Sequence, residues 1–242
     1  MSQNIPEFRS AVIKSVDCLK EGHALIKDQY WLFLGITVVG LLIGGAVPIV
    51  LIGPMMCGIH MCLLQKMRGE EVKFENLFKG FDYFTPSLIA SLIQFVPIFF
   101  MIIFVYILMF VLFFGMAATQ QSGGDPGLAI GMIFMIFVIF LVVMVIGALL
   151  QAFFTFMYPL IVDKKLSGLD AVKTSINAVR ANFGGVFGLV LLNFGLTLVG
   201  VLFCYVGAFL VMPVTMASYS VAYRKVFPEG FSEPVVPQPW QA

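Results

Sequence analysis

Four long apolar stretches dominate the chain: Tyr30 to Gln65, Phe84 to Ala118, Leu128 to Val162 and Phe183 to Tyr223. A helix needs about 20 residues to cross the hydrocarbon of a bilayer. The first stretch is just long enough for two short spans and has a break at Gly44-Gly45-Ala46-Val47-Pro48. The fourth accommodates two, with a softer break from Cys204 to Gly207. The second and third are each roughly 50 Å long as helices, against a hydrocarbon core of about 30 Å. They must tilt, kink at Pro97, or project: tilt with fraying toward the outside loop is the simpler account, and outer ends that pack together or against another subunit the alternative.

The basic residues set the topology. All 14 Lys and Arg fall in four segments. Arg9, Lys14, Lys20 and Lys27 precede the first stretch, and Lys66, Arg68, Lys73 and Lys79 follow it. Lys164, Lys165, Lys173 and Arg180 separate the third from the fourth, and Arg224 and Lys225 follow the fourth. The remaining loop, AATQQSGGDPG, has no basic residue and one acid, Asp125. Cytoplasmic loops collect Lys and Arg. All four basic segments lie inside only if the first and fourth stretches are helical hairpins and the second and third each cross once. The expectation is an all-α polytopic transmembrane bundle of six spans with both termini cytoplasmic. Residues 1–29 form a cytoplasmic amphipathic helix, 30–227 the transmembrane domain, and 228–242 a mobile proline-rich cytoplasmic tail. A four-span arrangement would put a basic segment outside.

Three basic segments carry apolar stripes at helical spacing: Ile5, Phe8, Val12, Val16 and Leu19; Phe74, Leu77, Phe78 and Phe81; and Leu169, Val172, Ile176 and Val179. Such helices lie in the headgroup plane, where they anchor spans and attract anionic lipid. Trp31, Phe74, Phe78 and Phe81 are the expected interfacial anchors, with Tyr30, Tyr83, Tyr158 and Tyr223 in the same aromatic belt. Trp240, near the end of the tail, could serve as a docking handle, though a passive tail is the simpler expectation.

Composition agrees. The chain is 60% hydrophobic and 11% charged, where a soluble chain carries about 25% charged residues. The excess, including 26 Phe, must face lipid. A net charge of +1 gives no footprint for nucleic acid. None of the four cysteines falls in the outside loop, so no structural disulfide is expected. The mixed-charge N-terminus lacks the pattern of a signal peptide and reads as mature cytoplasmic sequence.

Ala11–Lys20 matches Ala171–Arg180 at an offset of about 160 residues, and each segment precedes a hairpin with a proline, Pro54 or Pro213. This suggests a parallel internal repeat around the central long pair, an arrangement that places binding sites near the repeat interface in some transporters. Gly40/Gly44 and Gly184/Gly188 have GxxxG spacing, with Gly195 and Gly200 beyond. Packing within the chain is the default account, and a dimer face the alternative.

Chemistry is sparse. No Asp, Glu, Lys or Arg lies well inside a span, which argues against a proton- or ion-coupled pump and against an enzyme. No cofactor is expected. Met56, Cys57, His60 and Met61 place soft ligands on one helix face, suited to Cu(I) or a similar ion. Ordinary packing accounts for them more simply. Gln94, Gln151 and Asn193 are buried amides that either hydrogen-bond between helices or line a polar cavity. Two functions remain: a non-enzymatic membrane scaffold that binds itself or another membrane protein, and a transporter or channel for a neutral or lipid-like solute.

Trp31, Gly53-Pro54 with Gly58, Arg68-Gly69-Glu70 and Phe78 to Phe81, together with the stretch from Tyr158-Pro159 through Asp163, Ala171 and Ser175 to Asn182, carry a family resemblance. They resemble a broad group of uncharacterised bacterial inner-membrane proteins, YciC-like and related to the membrane domain attached to some glycerophosphodiester phosphodiesterases. The resemblance implies a six-helix protein of the bacterial inner membrane and no catalytic residues.

Overall fold

A computed structural model describes residues 7–10, 12–121, 126–203 and 206–229. The described residues fold into helices and connecting turns: α1 (Ser15–Ile26), α2 (Tyr30–Ala46), α3 (Pro48–Met67), α4 (Phe84–Gln121), α5 (Pro126–Phe154), α6 (Met157–Lys164), α7 (Gly168–Ala181), α8 (Phe183–Leu202) and α9 (Val206–Val226). A 3-10 segment, Phe74–Tyr83, precedes α4. Among the described residues, six helices are long and apolar enough to cross a membrane. The fold is the all-α polytopic bundle that the apolar stretches predict. The first hairpin breaks at Val47, and Pro97 lies inside α4. The proline-rich tail from residue 230, with Trp240, lies outside the described residues, as do Ile5, Asp125 and residues 204–205.

The chain divides into two compact units, Leu92–Gln151 and the remainder, Met1–Ser91 with Ala152–Ala242. The smaller unit is a hairpin of α4 and α5, with Gly115 close to Met132 near the turn. Its surface is almost wholly apolar: Phe100, Tyr106, Phe113 and Phe134 are each about two-thirds exposed or more. Such a surface is stable only against hydrocarbon or another protein.

The larger unit has a close-packed interior. Phe33 and Ile36 of α2, Met55, Ile59 and Leu63 of α3, and Leu77 of the 3-10 segment meet Ile26 and Ala217. Gly58 and Gly80 let the 3-10 segment nest on α3. A Cβ at Gly58 would lie 2.0 Å from the Leu77 carbonyl oxygen, and one at Gly80 would lie 2.1 Å from that of Pro54. α3 stops in a Schellman turn, with Glu70 N–H donating to the Gln65 carbonyl and Gly69 N–H to that of Lys66. Gly69 takes the left-handed conformation this turn requires (φ 75°).

The residues of the three expected stripes divide between the surface and the interior. α1 begins only at Ser15, and its Val16 is exposed. The row that packs is Cys18, Gly22 and Ile26, four residues apart, because Gly22 brings the α9 backbone close: a Cβ there would be 2.7 Å from Ser218 N. In α7 Leu169 is exposed, while Ala171, Val172, Ser175, Ala178 and Val179 are buried, so the packed face is rotated from the expected one. The stripe from Phe74 to Phe81 splits because the segment is 3-10 rather than α. Leu77 turns inward, while Phe74, Phe78 and Phe81 face outward at 37%, 43% and 39% exposure.

The two matched ten-residue segments also differ locally. Residues 12–14 are non-helical, whereas 171–180 are helical throughout. Of the GxxxG pairs, Gly40 and Gly44 pack α2 on Ile59 and Ile52 of α3, so this motif works within the chain. Gly184 and Gly195 face open space; Gly185 and Gly188 instead receive Ile13 and Ser15.

Candidate functional site

The soft-ligand cluster lies on α3 as its spacing predicts, yet its members have separate partners. His60 Nδ1 is 2.8 Å from Ser220 Oγ of α9. Cys57 is buried and hydrogen-bonds with Ser87. Met56 is half-buried against the interior around Phe33 and Ile59, and Met61 is half-buried as well. Among the described residues, no group of three or more His, Cys, Asp or Glu side chains is placed to hold a metal ion.

The three amides fall in two units. Gln94, half-buried, and Gln151, exposed, belong to the hairpin. Asn193 is buried in the larger unit, where its Nδ2 donates to Ser218 Oγ at 2.9 Å and its backbone carbonyl accepts from Thr197 Oγ1 at 2.8 Å. Trp31 is 75% exposed, and the outward ring faces of Phe74, Phe78 and Phe81 suit an interfacial belt.

Sequence reasoning missed a charged cluster where α3, α6 and α9 end together. Asp163, the penultimate residue of α6, has a side chain only 5% exposed. Arg68 Nη2 donates to its Oδ1 at 2.7 Å. Arg224 reaches both oxygens in a fork, Nη1 to Oδ2 and Nη2 to Oδ1, each at 3.3 Å. Tyr223 Oη donates to Oδ2 at 2.8 Å. Glu229 then bridges the arginines, accepting from Arg68 Nε at 2.8 Å and Arg224 Nη2 at 2.9 Å. The hydrogen bond to Glu229 raises the Arg68 pKa, burial opposes that rise, and the Asp163 charge adds to it.

The four residues at the centre of this cluster, Asp163, Arg68, Arg224 and Tyr223, lie up to 156 positions apart, which is why no local motif announces them. The available signal was an acid at the immediate exit of an apolar stretch, Val162-Asp163-Lys164-Lys165, in an otherwise basic segment. The oxygens of Asp163 are occupied by two guanidinium groups and a phenol. Its arrangement suits a clamp.

A second joint holds α7 to the break between α5 and α6. Ser175 Oγ donates to the Phe153 carbonyl at 2.7 Å and accepts from Phe156 N–H at 3.2 Å. One hydroxyl thus satisfies backbone groups freed where the helix is interrupted, as buried irregular backbone requires.

Comparison with known proteins finds relatives of limited extent. The chain is 36% identical over 84 residues to an uncharacterised protein of Mycobacterium bovis, a match covering 35% of this chain and 26% of that protein. Uncharacterised proteins of two Mycobacterium tuberculosis strains match with the same identity and coverage. The match thus spans about a quarter of the length of these relatives. No family model matches, so the YciC-like resemblance rests on the quoted residues alone, and no solved structure matches. Fold and comparisons together describe an all-helical integral membrane protein with uncharacterised bacterial relatives.

Proposed function

We propose that the chain is a non-enzymatic scaffold of the bacterial inner membrane, with both termini cytoplasmic, that assembles in the bilayer with a second copy or another membrane protein. The observation that carries this reading is the length of the exposed hairpin. The apolar part of α4 that belongs to the hairpin, Leu92 to Ala118, is about 40 Å long. Fitting it inside a core of about 30 Å would take a tilt of roughly 40° or slightly more, at the limit of the range of about 0–40° found for spanning helices. Apolar surface in excess of the hydrocarbon needs a protein cover.

The polar side chains within the larger unit support the same reading from the other side. His60 is engaged by Ser220, Asn193 by Ser218, and Tyr158 by Ser91 at 3.1 Å, so they serve packing. An enzyme or a solute path would call for such groups around open space.

Extraction into native nanodiscs followed by mass photometry tests the proposal. The expected result is a particle holding two or more chains, or one chain with a stoichiometric membrane partner. Phe113→Cys should cross-link to that neighbour. A single chain with no partner refutes it.

A further inference from the structure

Within the larger unit a groove opens between α1, the start of α2, α8 and α9. Its first part, about 650 Å³, has a polar rim of Lys20, His23 and Tyr30 and a floor that includes Leu196, Leu210 and Val211. A second part, about 430 Å³, shares those three floor residues and continues to Phe203 and Val206. The shared residues make the two parts one channel, polar at one end and lined by apolar residues and glycine at the other.

The throat is built into the fold. Pro213 lies inside α9 and has no N–H to offer the Phe209 carbonyl, which loosens that turn. On the adjacent turn, Tyr30 Oη donates to the Leu210 carbonyl, tying the start of α2 to α9 at the mouth of the apolar part. The rim carries charge that the protein leaves uncompensated. Lys225, about three turns further along α9 than Val214, is held by Glu21 at 2.7 Å. Lys20 is exposed, and among the described residues no carboxylate pairs with it.

We propose that this groove holds one anionic phospholipid, with its phosphate at Lys20 and His23 and an acyl chain along Leu196, Leu210 and Phe203. Three features select this occupant. The cationic rim matches a phosphate, and His23 adds an N–H donor. Among the described residues the inner part presents no polar side chain, so a peptide backbone laid there would lose its hydrogen bonds, whereas hydrocarbon loses nothing. From Val214 to Val206 the groove follows about 12 Å of helix axis, close to one leaflet of a core of about 30 Å. The site stands independently of the scaffold proposal, since its lining residues all belong to the larger unit.

The test uses the full chain, delipidated in detergent and titrated with phosphatidylglycerol or phosphatidylcholine, with bound lipids counted by native mass spectrometry. The wild type is expected to retain one phosphatidylglycerol under activation that strips other lipids. Its preference over phosphatidylcholine should be about fivefold, the factor given by about 1 kcal/mol per basic residue near a headgroup. Lys20→Gln with His23→Gln, both exposed positions, should keep the fold and abolish the preference. Val211→Trp, which fills the throat, should lose the retained lipid. Equal retention of the two lipids by the wild type, or an unchanged preference in the double variant, overturns the proposal whatever the folding of Val211→Trp.

Discussion

His60 Nδ1 and Ser220 Oγ lie 2.8 Å apart where α3 meets α9, and the two residues are separated by 160 positions. That separation equals the offset at which residues 11–20 match 171–180. Both side chains are buried, at 2% and 0% exposure. The bond therefore joins the two hairpins through their second helices. A double-mutant cycle of His60→Leu and Ser220→Ala should give a coupling of about 0.6 kcal/mol and no more than about 1.7, the range of interhelical bonds in membranes. Steric-trapping unfolding in bicelles measures it, and zero coupling would mean the contact is incidental.

Asp163 should be the most sensitive carboxylate in the chain. Asp163→Asn leaves Arg68 and Arg224 without their shared partner, and breaking a buried pair costs about 3–5 kcal/mol. Glu229 touches the same arginines from a 55% exposed position, so Glu229→Gln should cost about 0–1 kcal/mol. Detergent-titrated unfolding of the two variants checks the contrast. Equal losses would show that the cluster is a surface network rather than a clamp.

Glycine substitutions should separate nested contacts from open ones. Gly58→Ala and Gly80→Ala drive a methyl group into backbone 2.0 and 2.1 Å away, so each should destabilise by about 1–3 kcal/mol. Gly184→Ala and Gly195→Ala meet nothing within 4 Å and should lose no stability within the chain. A marked loss of self-association in Gly184→Ala, with stability unchanged, would instead place Gly184 on a dimer face.

The split stripe gives an optical prediction. In a chain carrying Trp31→Phe and Trp240→Phe, Phe78→Trp should be quenched by lipids brominated near the headgroup, because Phe78 points outward. Quenching by bromines near the chain terminus alone would put the 3-10 segment deeper than an interfacial anchor. Leu77→Trp should fail to fold stably, since Leu77 is fully buried.

Hydropathy made the number and limits of the spans legible, since lipid imposes that pattern residue by residue. Pro48 marked the start of α3 for an equally local reason. The packed faces of α1 and α7 were not legible. Their stripes were drawn from apolar residues, of which Val172 and Val179 are buried, whereas the contact surfaces also use small ones, Gly22 on α1 and Ala171, Ser175 and Ala178 on α7. Small residues carry little hydrophobic signal yet permit the closest approach. The soft residues around His60 were found as a face, but their partners, Ser87 and Ser220, come from helices the spacing alone cannot place. Asp163 was named only within the family resemblance, because its cations arrive from positions 68 and 224.

Because α1 rests on α9, a helix made early waits for one made about 180 residues later before it finds its seat. Segments made early must sit in the membrane with their contact surfaces open while most of the chain is still being translated. A nascent chain stopped before Val206 would therefore offer quality-control proteases an unseated N-terminal helix, however well its individual spans had inserted.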